Sequence, residues 1–215
     1  MNATRRFVPA LKHTFLTPAY DILIRLTIPE RTFKNRLLID AQLRPGDRVL
    51  DVGCGTGTLL LMAKRLEPNA ELIGIDADPE ILGIAWRKFV RAGVHIHLET
   101  GYATSLPYAE GSFDRVFSTL AIHHLTGDDK RRAFHEIARV LRRDGTFHLA
   151  DFGPPADRAS RVISWLVERI GREYVQENFR GELPAMLFEA GFTNVIAAGR
   201  FRTAFGTIEL LSGRR

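Results

Sequence analysis

The sequence predicts an α/β fold in a single domain: a mostly parallel sheet with helices on both faces. Three observations carry this. Short apolar runs of strand length alternate with longer amphipathic stretches along the chain. A glycine-rich bend, Gly53-Cys54-Gly55-Thr56-Gly57, follows the first such run. The 215 residues, 45% hydrophobic and 26% charged, supply one full core without disulfide or metal staples.

The elements follow in order. Residues 30–43 read as a helix with Phe33, Leu37, Leu38 and Ala41 on one stripe, closed by the turn Arg44-Pro45-Gly46-Asp47. A strand over 49–52 leads through the glycine bend to a helix over 58–67, apolar at Leu59, Leu60, Met62, Ala63 and Leu66. A second strand spans 72–75. Asp78 can cap the next helix, with Pro79 in its first turn, where a missing N–H costs nothing. That helix carries Ile81, Leu82, Ala85 and Phe89 and ends near Gly93; a third strand over 94–98 follows. Glu110-Gly111-Ser112 turns into a fourth strand over 113–117. Residues 128–142 form an amphipathic helix buried at Phe134, Ile137, Ala138 and Leu141, with acids at its start and arginines at its end, matching the helix dipole. A fifth strand spans 146–150, helices 158–171 and 183–190, and a closing hairpin pairs 193–197 with 204–211.

The formal charge of +5 is scattered along the chain, so it reads as solubility and not as a nucleic-acid or membrane footprint. The one cysteine, Cys54, allows no disulfide within the chain and suits a reducing compartment. MNATRRFVPALKHTF lacks a signal-length apolar run, and no stretch approaches the roughly 18 apolar residues of a membrane span. A cytoplasmic location is expected. His95 and His97 share one face of the third strand, but two histidines make a poor zinc site, and no metal is expected.

The glycine bend sits where a strand meets a helix. Glycines there turn the backbone sharply and let a ligand approach it, while the helix N-terminus presents free N–H groups. Asp76 ends the second strand nineteen residues after Gly57, where a carboxylate can accept both hydroxyls of a ribose. A dinucleotide fingerprint would need a small residue at Thr58, and a phosphate-binding P-loop would need a Gly-Lys-Ser/Thr ending; neither is present.

The stretch Val49-Leu50-Asp51-Val52-Gly53-Cys54-Gly55-Thr56-Gly57, with Asp76, resembles motif I of the class I S-adenosylmethionine (SAM)-dependent methyltransferases, and the resemblance covers residues 45–152. It implies a Rossmann-like seven-stranded sheet with a final antiparallel strand. It implies a methyltransferase domain over 45–215, preceded by a helical segment 1–44 that covers the cofactor and in which Tyr20 and Asp21 close over SAM. By the same resemblance the loop from Gly53 through Cys54 and Gly55 to Gly57 cradles the amino-acid end of SAM, and Asp76, with Ala77 beside it, holds the ribose. Asp51 either meets the cofactor or ties down the loop.

Gly101-Tyr102-Ala103-Thr104-Ser105-Leu106-Pro107-Tyr108 resembles the family's G-D-A-x-x-L-P-F, with Tyr102 where an acid usually bonds the adenine amino group. The Ala103 N–H remains available to the ring, and Tyr102 can pack on it. Thr119 and Leu120 fall beside the methionine part, since ligands of open α/β sheets bind beyond the carboxyl ends of the strands. His123 and His124 lie just beyond. Either could take a proton from an acceptor or simply pack the loop. Asp151, after the fifth strand, is a further candidate base, substrate contact or structural acid.

The resemblance further implies that the SAM methyl arrives already activated and leaves S-adenosylhomocysteine, with no metal. The overall pattern is similar to ubiquinone/menaquinone-biosynthesis methyltransferases without that subgroup's diagnostic segments. One cysteine is too few for arsenite methylation, and Ser118-Thr119-Leu120-Ala121 is unlike the N-P-P-Y of DNA amino-methyltransferases. The expected acceptor is a small molecule, apolar or lipid-like, on a monomer or homodimer. The alternatives are an RNA or protein methyltransferase and a non-catalytic SAM-binding module. The apolar stripe of helix 158–171 (Val162, Ile163, Leu166 and Ile170, widened by Trp165 and Val167) is expected either to pack on the domain or to form a lid.

Overall fold

The computed structural model describes residues 30–203 and 206–215, without the side chains of 159, 167, 168 and 170–173. Tyr20 and Asp21, with the start of the segment expected to cover the cofactor, lie outside the described residues, as do Ala204 and the side chains of Val167 and Ile170.

The strands are β1 (Arg48–Val52), β2 (Glu71–Asp76), β3 (His97–Thr100), β4 (Phe113–Thr119), β5 (Leu141–Gly153), β6 (Thr193–Thr203) and β7 (Gly206–Arg214). The helices are α1 (Glu30–Ala41), α2 (Thr58–Leu66), α3 (Pro79–Ala92), α4 (Gly127–Val140), α5 (Arg158–Arg180) and α6 (Leu183–Glu189), and Ile122–His124 forms a 3₁₀ turn. The strands make one sheet in the order β3-β2-β1-β4-β5-β7-β6. All neighbours are parallel except β7, which runs antiparallel to both β5 and β6. The strand order reverses between β1 and β4, which opens a crevice at their carboxyl ends.

A parallel sheet buried on both faces needs strands that are apolar throughout, and β1 is buried from Val49 to Val52. Val49 joins a core beneath α1, α2 and α3, while Leu50 and Val52 join the opposite core beneath α4 and α6. Helix ends follow their caps: the Asp78 carboxylate accepts from the N–H groups of Glu80 (2.9 Å) and Ile81 (3.4 Å), and Thr126 caps α4.

Several elements depart from expectation. β3 lies at His97–Thr100 and not at 94–98, because the Val94 N–H turns back to the Phe89 carbonyl and closes α3, and Ile96 enters the core before pairing starts. α4 stops at Val140, because Leu141 already pairs with Phe113 as the start of a long β5. Leu66 is 53% exposed and takes no part in the core. Gly171 does not end α5, which runs on to a left-handed Gly181 (φ 74°). Of the two roles open to its apolar stripe, packing on the domain is not taken by Val162, Trp165 and Leu166, which are exposed. The helix is anchored instead by Ser160, Ser164, Val175, Asn178 and Phe179, by a Lys130–Glu177 ion pair and by the Asn178 amide donating to the Phe152 carbonyl.

Candidate active site

The glycine loop is built by close approach. The N–H groups of Gly53 and Cys54 both donate to the Ile75 carbonyl, at 2.8 and 3.1 Å, fastening the loop to the end of β2. Gly53 (φ 71°) has no room for a side chain, since a Cβ there would stand 2.3 Å from the Ala121 methyl. Gly57 (φ 69°) starts α2 against the Phe89 ring, which a Cβ would meet at 2.4 Å. Gly55 differs: its φ of 53° asks for glycine, yet nothing lies within 4 Å of where a Cβ would stand. Two glycines therefore serve packing, and the middle one leaves its backbone open to a ligand. Cys54 is buried against this core, which pushes its thiol well above the usual range and leaves it no nucleophile.

The Asp76 carboxylate joins the two loops, accepting from the Gly55 N–H at 2.8 Å and the Asp78 N–H at 3.0 Å. Ala77 lies between them at half-burial. Lys88 of α3, a residue the sequence reading passed over, donates to the Thr56 carbonyl (2.6 Å) and to both threonine hydroxyls of the loop. Its signal was a charge on the face of α3 next to Ala85 and Phe89.

Asp51 has no exposure, and neither of its carboxylate oxygens has a hydrogen-bond partner among the described residues. Burial pushes its carboxyl up to about 7; the buried Lys34 of α1 opposes this and Asp76 adds to it. An unsatisfied buried carboxylate beside an open glycine loop fits a ligand with a cationic end.

The loop after β3 is held from α4. The Leu106 N–H donates to Glu136 (2.7 Å), and Arg139 donates to the carbonyls of Tyr108 (2.7 Å) and Leu106 (3.0 Å) while pairing with Glu136. Glu136 and Arg139 also escaped the sequence reading. The Gly101 N–H donates to the Asp76 carbonyl, which brings this loop beside Asp76. Tyr102 is 44% exposed, and Ala103 packs against the core.

Across the switch point, Ser118 donates to the Val52 carbonyl (2.8 Å), Thr119 is buried, and Leu120 adopts a left-handed conformation (φ 53°) while its N–H donates to the Ala150 carbonyl. The parallel β4–β5 register then sets the 3₁₀ turn next to Asp151. Asp151 Oδ2 accepts from the N–H groups of Ile122 (2.9 Å) and His123 (3.2 Å), and Oδ1 from the N–H of Phe152 (2.7 Å). His123 Nδ1 stands 2.8 Å from the same Oδ1. Burial alone would raise the Asp151 carboxyl, but His123 and the Phe152 N–H outweigh it and hold it below its usual range. An ionised Asp151 makes Nδ1 the donor of this pair, so in the neutral imidazole it is Nε2 that carries the lone pair. The His124 ring lies 4.1 Å from that of His123; their mutual repulsion, with burial, pushes His124 down to about 4. The structure thus brings Asp51, the glycine loop, Asp76, Ala77, Tyr102 and Ala103 to one end of the crevice and Thr119, Leu120, His123, His124 and Asp151 to the other. His95 and His97 are both exposed, and among the described residues no group of three or more metal-ligating side chains gathers.

A family profile described as "Methyltransferase domain" matches residues 49–145. The demethylmenaquinone methyltransferase of Thermus thermophilus is 34% identical over 150 residues, covering 69% of this chain and 67% of that protein. The uncharacterized methyltransferase YcgJ of Bacillus subtilis is 36% identical over 152 residues, 68% of this chain but only 57% of that protein. Its crystal structure superposes with a TM-score of 0.69 at 24% identity over 86% of this chain and 98% of that one. Phosphoethanolamine N-methyltransferase 2 of Haemonchus contortus, in complex with S-adenosyl-L-methionine, gives a TM-score of 0.70 at 16% identity over 86% of this chain and 52% of that one. At such identities the two structures speak for the fold. The sequence relatives go further: the chain belongs to the family of S-adenosylmethionine-dependent methyltransferases.

Proposed function

We propose that this protein moves the SAM methyl to a small, apolar or lipid-like acceptor in the cytoplasm, with His123 as the base that takes the acceptor's proton. The observation that carries this reading is the His123–Asp151 pair: an imidazole oriented by a buried, ionised carboxylate, one strand away from the glycine loop.

When bound, SAM supplies a methyl group already activated on a sulfonium. The chain's own residues bind, orient and manage protons. The Asp76 carboxylate accepts from the ribose hydroxyls, as its place at the end of β2 favours. Asp51 faces the cationic amino-acid end, and Gly53, Cys54, Gly55 and Gly57 give it backbone to lie against. Tyr102 and Ala103 flank the adenine. Thr119 and Leu120 line the path to the acceptor. His123 Nε2 accepts a proton while Asp151 keeps the Nδ1–H in place, the orientation that general-base work requires. His124, with its depressed basicity, stays neutral beside it.

Two measurements test this. In titration calorimetry, S-adenosylhomocysteine should bind the wild type, and Asp76→Ala or Gly55→Val should weaken it by about 100-fold or more, the loss of two charge-assisted hydrogen bonds or of the open backbone. In a deletion strain fed labelled methionine, a labelled small molecule should disappear; label missing only from RNA or protein refutes the acceptor class. Of the basic pairs in the sequence, Arg142 is engaged by Asp114 and Arg215 by Glu110, which ties up two of the arginines that a nucleic-acid backbone would use.

A further inference from the structure

The first half of α5 exposes apolar side chains and buries polar ones, the reverse of a helix packed on a globular domain. Its buried positions include Ser160, Ser164 and Asn178, and the Ser164 hydroxyl has no partner among the described residues. Its outer face carries Val162, Trp165 and Leu166, which are 59%, 51% and 50% exposed. Arg158, Arg161 and Arg169 recur at helical spacing among them and are exposed too. The Arg169 guanidinium lies 4.3 Å over the Trp165 ring. Interior packing does not explain this face, and a solvated face would not carry this much apolar surface.

The mixture has a chemistry of its own. Aliphatic residues and a tryptophan interleaved with arginines make a helix that lies in a lipid interface, its apolar side chains among the acyl chains and its guanidinium groups at the phosphates. Charge decides the sign of the lipid: residues 158–173 hold four arginines against two glutamates. The position is also informative, because α5 packs against the 3₁₀ turn that carries His123 and against β5 and β7. Asn178 and Glu177 lock its far end to Phe152 and Lys130.

We propose that the outer face of α5 docks this protein on an anionic lipid bilayer, with the acceptor end of the crevice beside the surface. The docking stands on exposure and charge; its use in receiving an acceptor from the bilayer rests on the apolar-acceptor reading above.

The chain has two tryptophans, so Trp86→Phe leaves Trp165 as the sole reporter in the full-length protein. With vesicles of phosphatidylcholine containing about one third phosphatidylglycerol, the protein should co-sediment and Trp165 emission should shift to the blue. Phosphatidylcholine alone should give neither, and raising salt from about 0.1 to 1 M should weaken binding. Val162→Ser with Trp165→Ser, and separately Arg158→Gln with Arg161→Gln and Arg169→Gln, should each weaken co-sedimentation by about tenfold or more. S-adenosylhomocysteine affinity and melting temperature should stay unchanged, which separates lost docking from lost folding. Absence of co-sedimentation overturns the proposal. So does binding that survives both sets of substitutions, which would place the contact elsewhere on the chain. Concentration-dependent dimerisation abolished by the Val162/Trp165 change would overturn it in favour of a second copy on this face. Vesicle binding is read without any methyl transfer, so its failure leaves the labelled-methionine result standing, and the reverse.

Discussion

Asp51 in β1 and Asp151 in β5 are both buried aspartates toward the carboxyl ends of parallel strands in one sheet, and they are opposites. Asp151 is saturated from within, by three backbone N–H groups and His123, and is held ionised despite its burial. Asp51 receives no hydrogen bond from the described residues, and burial drives it toward the protonated form, up to about 7. A buried carboxylate must be satisfied or neutral. The β5 end is a finished device for orienting an imidazole, ready before any ligand arrives. The β1 end is unfinished, and the group that completes it has to bring the donors or the positive charge.

The largest effect should come from breaking the finished end. His123→Gln is expected to lower kcat by roughly 10²–10³-fold, the ordinary worth of a positioned general base. S-adenosylhomocysteine affinity should be unaltered, because the proposed reading sets the cofactor against the other aspartate. Asp151→Asn should match that loss and also cost about 1–3 kcal/mol of stability, since an amide cannot accept what both carboxylate oxygens accept now. Single-turnover kinetics beside calorimetry separate the two. Wild-type turnover by His123→Gln would remove the base from the mechanism.

Asp51→Asn should do the reverse, sparing the base and weakening the cofactor by about 10–100-fold, the loss of one hydrogen bond to a charged partner. Its stability effect has a sign that the comparison fixes. The folded protein holds a proton on Asp51 up to about pH 7, whereas the unfolded chain gives it up near the ordinary 3.8. Between those values the native state binds more protons, so stability falls as pH rises through that window. Above it the wild type carries a burden of about 4 kcal/mol that asparagine does not. Melting should therefore coincide for the two proteins near pH 4 and separate by roughly 8–16 °C at pH 8, with the variant higher. A pH-independent difference would show that Asp51 is already satisfied.

The two ends were also unequally legible in the sequence. The glycine loop and Asp76 could be read because their requirements are local: a bend, a helix start and the end of the next strand. Lys88, Glu136 and Arg139 escaped because a charged residue on a helix looks like solvated surface until the loop it grips is placed beside it. His123 and Asp151 were each visible, but their pairing spans 28 residues and depends on the β4–β5 register. In α5 the 3.6-residue period was plain, yet which side faces inward was settled by Val175, Phe179 and the Lys130–Glu177 pair, all outside the stripe that suggested a packing face. β3 slipped because Gly93 and Val94 close α3, a backbone detail that the apolar run over 94–98 conceals.

The smallest effect extends the rule from carboxylates to imidazoles. His148 in β5 is buried against Phe117, its ring stacked at 5.3 Å, with one nitrogen 2.9 Å from the Thr146 hydroxyl and Nδ1 without a partner among the described residues. Like Asp51 it must be neutral: burial, helped by Arg115 and opposed by Asp40, pushes it down to about 4. Here the unfolded chain binds the extra proton between about 6.5 and 4, so stability is lost as pH falls through that window. His124 titrates low as well and contributes to the same slope. His148→Phe fills similar space without a titrating group, so the change in stability from pH 7 to 5 should be about 2 kcal/mol more favourable in the variant than in the wild type, the rise that Asp51 brings over the same window being common to both. Urea unfolding at the two pH values measures this directly. An unchanged slope would mean that His148 is solvated in the folded protein, and the orphan-means-neutral rule would then hold for Asp51 alone.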